Sequence, residues 1–404
     1  MTQMMQKEKL ALLELLKRSL QPSGEGNMTG YEPELSTSQW QNLIETAEKH
    51  AVLSLLYPVL ESCKGLEEAR WKQVERVSRQ TVQKSYRLLF LNKYVTGLFR
   101  ENGIPAITLK GAVTASLYPV PELRKSGDVD ILVTDKENHA KACHILEEHG
   151  FIIKKEQKTL HHVELENKEN ISVEVHGLLA EPFENQEVNR YLKQLLPEYE
   201  KNYQINCYWG MELLEPSDAY HAFYLILHML QHFLRAGFGL KNLCDWVVFW
   251  NREMKQEEKD QFGLLIKRSG TDGFVRVLTA ACIKYLGLRP ENVSCFMDQE
   301  VPNAVVEAFF EEIFEAEEFG KSRSNRMVAM RDTGMMAYVK EFHHQMQLNY
   351  PQFSHVFLLW PFLWVATLLR FLYNNHKIRN ISGIDVLSKA GKRSRLVKDM
   401  QLFQ

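Results

Sequence analysis

The sequence predicts an α+β protein in which a small mixed β-sheet lies between an N-terminal and a C-terminal helical region. Three shifts of pattern carry that expectation. Apolar residues recur at helical spacing up to about residue 100, short strand-like runs then interleave with one amphipathic helix as far as His176, and strand signals vanish beyond about Met211. On these shifts the chain divides into an N-terminal helical region, 1–80, a sheet-bearing domain, 81–210, and a C-terminal helical domain, 211–404. At roughly 100–200 residues per domain, a chain of 404 residues accommodates that division.

Each element follows from local chemistry. The opening "MTQMMQKEKLALLELLKRSL" mixes charges among its leucines and lacks an apolar core run, so it reads as an amphipathic helix and not as a signal peptide. In "TSQWQNLIETAEKHAVLSLL" the residues Trp40, Leu43, Ala47, Ala51 and Leu55 form one helical stripe, with Ser36 or Ser38 at the N-cap. A long amphipathic run from Trp71 to Glu101 stops at Gly103 and Pro105. "PAITL" is then a short strand, "AVTASLY" returns to helical character, and "DVDILV" is a second strand. "TDKENHAKACHILEEHG" is a helix capped by Thr134 or Asp135 and closed by Gly150. "FIIKK", "KTLHHVELEN" and "ISVEVHG" are further strands, the last two joined by a turn at "NKEN". Ser217 opens the next helix, and helices continue to the end.

Composition excludes several classes. With Lys plus Arg at 49 and Asp plus Glu at 51, the formal charge of −2 gives no global attraction to nucleic acid. Six cysteines without a C-x-x-C pair form neither a zinc knuckle nor a disulfide framework, which fits a reducing cytoplasm. The apolar run "VFLLWPFLWVATLL" is too short for a membrane span and carries Pro361, so it reads as a buried or groove-lining helix, with contact at a membrane surface as the alternative. The tail after it is basic through Lys377, Arg379, Lys389, Lys392, Arg393, Arg395 and Lys398; it is a solvated tail or a contact for a polyanion or acidic headgroups.

The chemistry-bearing residues gather in the middle of the chain. Asp128 and Asp130 are separated by one valine, so in a strand both carboxylates point the same way and repel unless a cation lies between them. In "ISVEVHG" the residues Ile171, Val173 and Val175 share one face while Ser172, Glu174 and His176 share the other, which offers a third carboxylate. Three carboxylates suffice for two divalent metals. Upstream, Lys110 and Gly111 stand at a strand-to-helix junction suited to phosphate, Arg124 lies four residues before Asp128, and Gly127 immediately precedes it. His228 and His232 share a helical face, but Met229 stands where an H-E-x-x-H motif has its Glu; they read as packing or polar contacts near the cleft, or as positioning the acceptor or base. Asp245 is a structural residue or a substrate contact, and His161 and His162 are strand residues away from the carboxylates; His176 alone among these three shares Glu174's face.

The stretch "ITLKGAVTASLYPVPELRKSGDVDILV", with the later "VEVHG", "HMLQHFLRAGFGLKNLCDW" and "LLWPFLWV", resembles the bacterial uncharacterised nucleotidyltransferase family of the polymerase-beta-like superfamily. The resemblance covers most of the chain and is most specific over residues 103–176. It implies a nucleotidyltransferase domain for 81–210, with Asp128 and Asp130 as the metal-binding pair, Glu174 as the third carboxylate, Lys110, Gly111, Arg124 and Gly127 around the triphosphate, and an anion contact at Lys241, which stands where the resemblance leads one to expect arginine. The expected activity is magnesium-dependent (or manganese-dependent) transfer of a nucleoside monophosphate from an NTP such as ATP. The acceptor is a hydroxyl or phosphate on a peptide, polysaccharide precursor or nucleic acid. Two other classes compete: a nucleotide-binding or interaction protein without turnover, and a glycosyltransferase whose D-x-D holds manganese under a sugar nucleotide.

Overall fold

The structure, a computed structural model, describes residues 6–21, 31–61, 63, 65–154, 161–235, 237–316, 335–350, 352–373 and 395–403. Helix α1 (Lys7–Ser19) buries Leu12, Leu13, Leu15 and Leu16. Helix α2 (Thr37–Lys49) opens with a capping box: the Gln39 N–H donates to Ser36 Oγ and the Ser36 N–H donates to Gln39 Oε1. The expected stripe through Ala51 and Leu55 does not hold as one helix. The chain leaves α2 at His50 and Ala51 adopts a left-handed φ of 59°, so Ala51 and Leu55 reach the core from a turn and a 3₁₀ segment. After the single turn α3 (Tyr57–Leu60) comes α4 (Glu68–Glu101), whose 34 residues span about 50 Å at 1.5 Å each. It runs unbroken through residue 80, so the boundary expected there falls inside a helix.

Five short strands form the main sheet: β1 (Ile107–Thr108), β2 (Val129–Leu132), β3 (Ile152–Ile153), β4 (His162–Glu166) and β5 (Ser172–His176), in the order β1-β2-β5-β4-β3. Only β2 and β5 pair in parallel, and they set Asp130 opposite Glu174 and Leu132 opposite His176. The one-turn helix α5 (Ala112–Ala115) follows β1, and α6 (Lys136–Glu148), capped by Asp135, follows β2. Residues 158–160 of the anticipated fourth strand lie outside the described residues. Val129, Ile131, Val173 and Val175 form one core with Leu88, Leu91, Val95 and Phe99 of α4 and with Ile145 and Leu146 of α6. That packing leaves the opposite face of β2 and β5 to Asp130, Glu174 and His176.

After α7 (Gln186–Lys201) the strand signal does not vanish as expected. A separate hairpin forms from β6 (Tyr203–Tyr208) and β7 (Met211–Pro216), and it straddles the boundary placed at 210. Helices follow: α8 (Asp218–Arg235), α9 (Leu240–Trp250), α10 (Gln256–Ser269), α11 (Asp272–Leu286), the short α12 (Pro290–Val293) and α13 (Asn303–Ala316). Ser217 precedes α8, but the first turn is capped by Glu258 of α10, which accepts from Ser217 Oγ and the Ala219 N–H. A single helical core joins Leu12 and Leu16 of α1 with Phe223 of α8, Trp246 of α9 and Val277 of α11, so the N- and C-terminal helical regions are one body physically. Leu396, Val397, Met400 and Leu402 near the C-terminus complete it.

The remaining helices, α14 (Met335–Asn349) and α15 (Trp360–Tyr373), pack mainly on each other. Here the expectation of a buried helix fails. Phe357, Leu358 and Phe362 are 69–73% exposed, and contact is made by Trp364, which donates to His343, and by Trp360 beside it. Pro361 does not break α15, because it occupies the first turn where no intrahelical N–H is needed. Among the described residues no helix is long and apolar enough to cross a membrane. Of the basic tail, Arg395 and Lys398 are exposed; Lys377, Arg379, Lys389, Lys392 and Arg393 lie outside the described residues.

Candidate active site

The parallel pairing of β2 with β5 brings two of the three anticipated carboxylates side by side. Asp130 is fully buried; its Oδ1 is 3.1 Å from Lys110 Nζ and 3.2 Å from His176 Nε2. Glu174 Oε2 lies 3.2 Å from the same His176 nitrogen. Asp128 is not part of the strand, since β2 begins at Val129, and it stands half-buried at the strand's entrance. It is nevertheless within the same field. Burial, then Asp130, push its carboxyl up to about 7, against the pull of Lys110.

His176 and Lys110 are the cationic counterparts. Burial disfavours the imidazolium, but hydrogen bonds to Asp130 and Glu174 outweigh it and raise His176 to about 9. For Lys110 burial is likewise outweighed by Asp130, Asp128 and Glu174, so the ammonium holds its proton more tightly than usual. Glu174 shows the converse: burial would raise it, yet His176 and Lys110 hold it well below the usual carboxylate range. One atom is left over. Asp130 Oδ2 is buried with no hydrogen-bond partner, which for a carboxylate oxygen points to a cation. Donor atoms of Asp130, Glu174 and His176 lie within 4.8 Å of one another, and an oxygen-dominated set suits magnesium or manganese. The residues present therefore fit the divalent ion that the sequence implies.

Beside the carboxylates opens a cleft of about 200 Å³ lined by Lys84, Lys110, Arg124, Lys125 and Lys241, with Gly111, Ser126 and Gly127 on its wall. Gly111 takes φ +67°, a conformation that side chains rarely adopt. The helix after it, α5, has four residues, too few for a useful dipole; what the junction offers an anion is close backbone approach and lysine charge. His228 and Lys241 also line the cleft, and His228 Nε2 lies 3.4 Å from Lys110 Nζ. His232 stacks edge-on against His228, with 4.5 Å between ring centroids, and burial pushes it down to about 3.

One anticipated role changes. Arg124 borders the cleft, but its guanidinium is committed: Nε and Nη2 donate to the two oxygens of Asp245 at 2.7 and 2.9 Å, and Nη1 donates to Ser126 Oγ. Asp245 is correspondingly saturated, accepting also from the Tyr118 hydroxyl at 2.6 Å with Lys241 Nζ 3.7 Å away. A carboxylate so occupied is a structural anchor and not a substrate contact. A second change concerns His162, read from sequence as remote; its Nδ1 is 3.9 Å from Glu174 Oε2. Lys84, Lys125, Tyr118 and His162 had not been singled out for the site. Only Lys125, inside the R-x-x-G-D run, carried a signal in its neighbourhood; Lys84 arrives from the distant helix α4.

No curated protein matches the chain. Among solved structures, an antigenic nucleotidyltransferase-like protein from Paracoccidioides brasiliensis is 12% identical, with a TM-score of 0.31, over 50% of this chain and 93% of its own. Residues 36–287, which contain the carboxylates and the whole lysine-lined cleft, match the uncharacterised nucleotidyltransferase family, and the chain belongs to it.

Proposed function

We propose that this protein transfers a nucleoside monophosphate from an NTP to an acceptor hydroxyl or phosphate and releases pyrophosphate. The observation that carries this reading is the in-register placement of Asp130 beside Glu174, with Asp128 at the strand entrance, next to a cleft rich in lysine. A carboxylate cluster facing a polycationic cleft suits a ligand with one end bound through cations and the other through phosphate oxygens. Asp128, Asp130 and Glu174 would hold magnesium, with manganese as the alternative, which would supply positive charge at the reacting phosphate and favour ionisation of the acceptor oxygen. Lys84, Lys125 and Lys241 neutralise the β- and γ-phosphates, while Gly111 and Gly127 admit the phosphate chain close to the backbone. Lys110 bridges the two halves, paired with Asp130 while lining the cleft. His176, held between Asp130 and Glu174, fixes the orientation of both carboxylates. Leu225 and Met229 of α8 give the cleft an apolar wall for a base. A peptide, a polysaccharide precursor or a nucleic acid would serve as the acceptor.

The test is incubation of the purified chain with each labelled NTP and magnesium, scored by pyrophosphate release and self-labelling. Glu174→Gln is expected to lower turnover on the order of 100-fold or more, the scale of one lost charge-stabilising group, while NTP binding stays nearly intact. Asp128→Asn with Asp130→Asn should abolish magnesium-dependent nucleotide binding. Nucleotide binding with no pyrophosphate from any NTP would favour the binding-protein reading. Turnover confined to sugar nucleotides, with nucleoside diphosphate released and no dependence on Glu174, would establish the glycosyltransferase instead.

A further inference from the structure

The donor cluster extends past Glu174 on the side away from Asp130. Strand order places β4 beyond β5, and the antiparallel register sets His162 directly opposite His176. His161 lies in the bend just before β4, which frees it from strand alternation and lets its ring turn to the same side as its neighbour's. The two ring centroids are 4.3 Å apart, and His162 Nδ1 is 2.9 Å from His161 Nε2. Ring nitrogens of His161, His162 and His176 all lie within 4.8 Å of one another, with Glu174 Oε2 3.9 Å from His162 Nδ1.

Packing alone explains part of this arrangement. A neutral imidazole donating to another accounts for the contact between His161 and His162. It does not account for His176, which is 3% exposed and whose Nδ1 is buried without a hydrogen-bond partner. Nor does it explain why His161 turns its other nitrogen, Nδ1, to within 3.9 Å of Glu181, a carboxylate itself held by Arg235. A carboxylate behind an imidazole is the usual support of a metal-ligating histidine, since it fixes the tautomer that presents the other nitrogen.

We propose that His161, His162 and His176 form a transition-metal site adjoining the carboxylate centre, taking Zn²⁺ or a similar borderline ion such as Co²⁺, with Glu174 or water completing the coordination. Zinc–nitrogen bonds of about 2.0–2.1 Å in a tetrahedron put ligand nitrogens roughly 3.4 Å apart. The separations present, from 2.9 Å to less than 4.8 Å, bracket that figure and need only small ring rotations. Neutral imidazole is the ligating form, so an ion bound here displaces a proton from His176, whose Nε2 lies 3.2 Å from both Asp130 Oδ1 and Glu174 Oε2. The two sites share His176 and Glu174, and it is the added nitrogen donors of His161 and His162 that set this one apart: imidazole suits zinc, cobalt and nickel, whereas magnesium takes oxygen.

The experiment uses the full chain, stripped of metal by chelation, without nucleotide. Co²⁺ titration is followed by visible absorption, and bound Zn²⁺ is counted by elemental analysis after desalting. The expected result is one Co²⁺ per chain with an intense band of low-symmetry nitrogen coordination, displaced by Zn²⁺ and not by excess Mg²⁺. His161→Gln with His162→Gln should weaken Co²⁺ binding by at least about ten-fold. His162→Gln alone should change the spectrum. The far-ultraviolet circular dichroism of both variants checks folding. Asp128→Asn should leave Co²⁺ binding in place. Absence of stoichiometric Co²⁺ or Zn²⁺ overturns the proposal, as does binding that survives in both histidine variants or is abolished by Asp128→Asn. None of these readouts depends on nucleotidyl transfer, so failure here and failure of the proposed activity are distinguishable.

Discussion

Asp245→Asn tests how the cleft is held together. Arg124 leads the loop that carries Ser126, Gly127 and Asp128 into β2, and its partner Asp245 sits on α9 in the helical layer. The pair is buried on both sides, with side chains 3% and 8% exposed, and it also takes the Tyr118 hydroxyl. Leaving a buried guanidinium without its anion costs about 3–5 kcal/mol, whereas replacing both partners by apolar residues of similar volume is often close to neutral. Asp245→Asn should therefore lose about 3–5 kcal/mol in urea unfolding, followed by the fluorescence of the adjacent, buried Trp246. Arg124→Met with Asp245→Leu should recover most of that loss. Acid supplies an independent check. Burial raises the Asp245 carboxyl, but Arg124 and Lys241 outweigh it and hold it below its ordinary value. A carboxyl depressed in the folded state contributes stability that is present above its unfolded pKa of about 4 and lost as pH falls through the folded value, so this contribution is constant from pH 5 to 8. The same variant addresses Arg124's role. If Arg124 positions the loop, Asp245→Asn and Arg124→Ala should weaken NTP binding by similar factors. A direct phosphate contact would make Arg124→Ala far the worse of the two. An Asn variant within 1 kcal/mol of the wild type, or a double variant no better than the single, would refute the reasoning.

Two further outcomes follow from buried groups elsewhere. His221 is 2% exposed, and burial, helped by Arg252 and Arg124, pushes it down to about 3. Its unfolded pKa is near 6.5, so the unfolded chain takes up the proton first, and stability falls with pH below about 6.5 by up to about 1.4 kcal/mol per unit, levelling near 3. Between about pH 4 and 6, His221→Phe should flatten the measured slope by close to one proton; an unchanged slope would show that the histidine is solvated. Gly273 presents a steric case: a Cβ there would lie 1.7 Å from the Met400 carbonyl oxygen. Gly273→Ala should cost about 1–3 kcal/mol and expose the C-terminal segment to limited proteolysis, and an unaltered cleavage pattern with unaltered stability would contradict the packing.

Which parts of the site were legible depended on how far apart in the chain the interacting groups lie. The strand of alternating valines around Glu174 and the D-x-D entrance are local patterns, and a period of two fixes which residues share a face before any pairing is known. The same rule misled at β6. There Gln204, Asn206 and Tyr208 turn inward to donate to the buried Glu215, while Tyr203 and Ile205 face out at 45% and 57% exposure. The alternation is present with its polarity reversed, and its turn at Trp209–Gly210, both at positive φ, lacks the usual Asn-Gly signature. A hairpin organised around a buried carboxylate does not look like one that buries its apolar face.

Arg124 shows the deeper limit. Sequence reveals a cation four residues from Asp128; it does not reveal that an anion 121 residues away has already claimed it. Lys84 is the mirror case, invisible because α4 is read as a solvated amphipathic helix until the sheet beneath it is known to end at the cleft. Both errors have one physical source: the lysine-lined wall of the cleft is a seam between the sheet and the helical layer. On the sheet side the groups are close in sequence, because β2, its preceding loop and β5 form one parallel unit. On the helical side Lys84, His228 and Lys241 come from α4, α8 and the start of α9, whose apolar faces decide where they sit and whose charged residues simply follow. Charge at such a seam is therefore specified by packing, and its partners can be assigned only after the core is known. Arg124 and Asp245 cross the seam themselves, tying the loop before β2 to α9, so the residue first taken for a phosphate ligand is better understood as holding in register the wall to which the phosphates would bind.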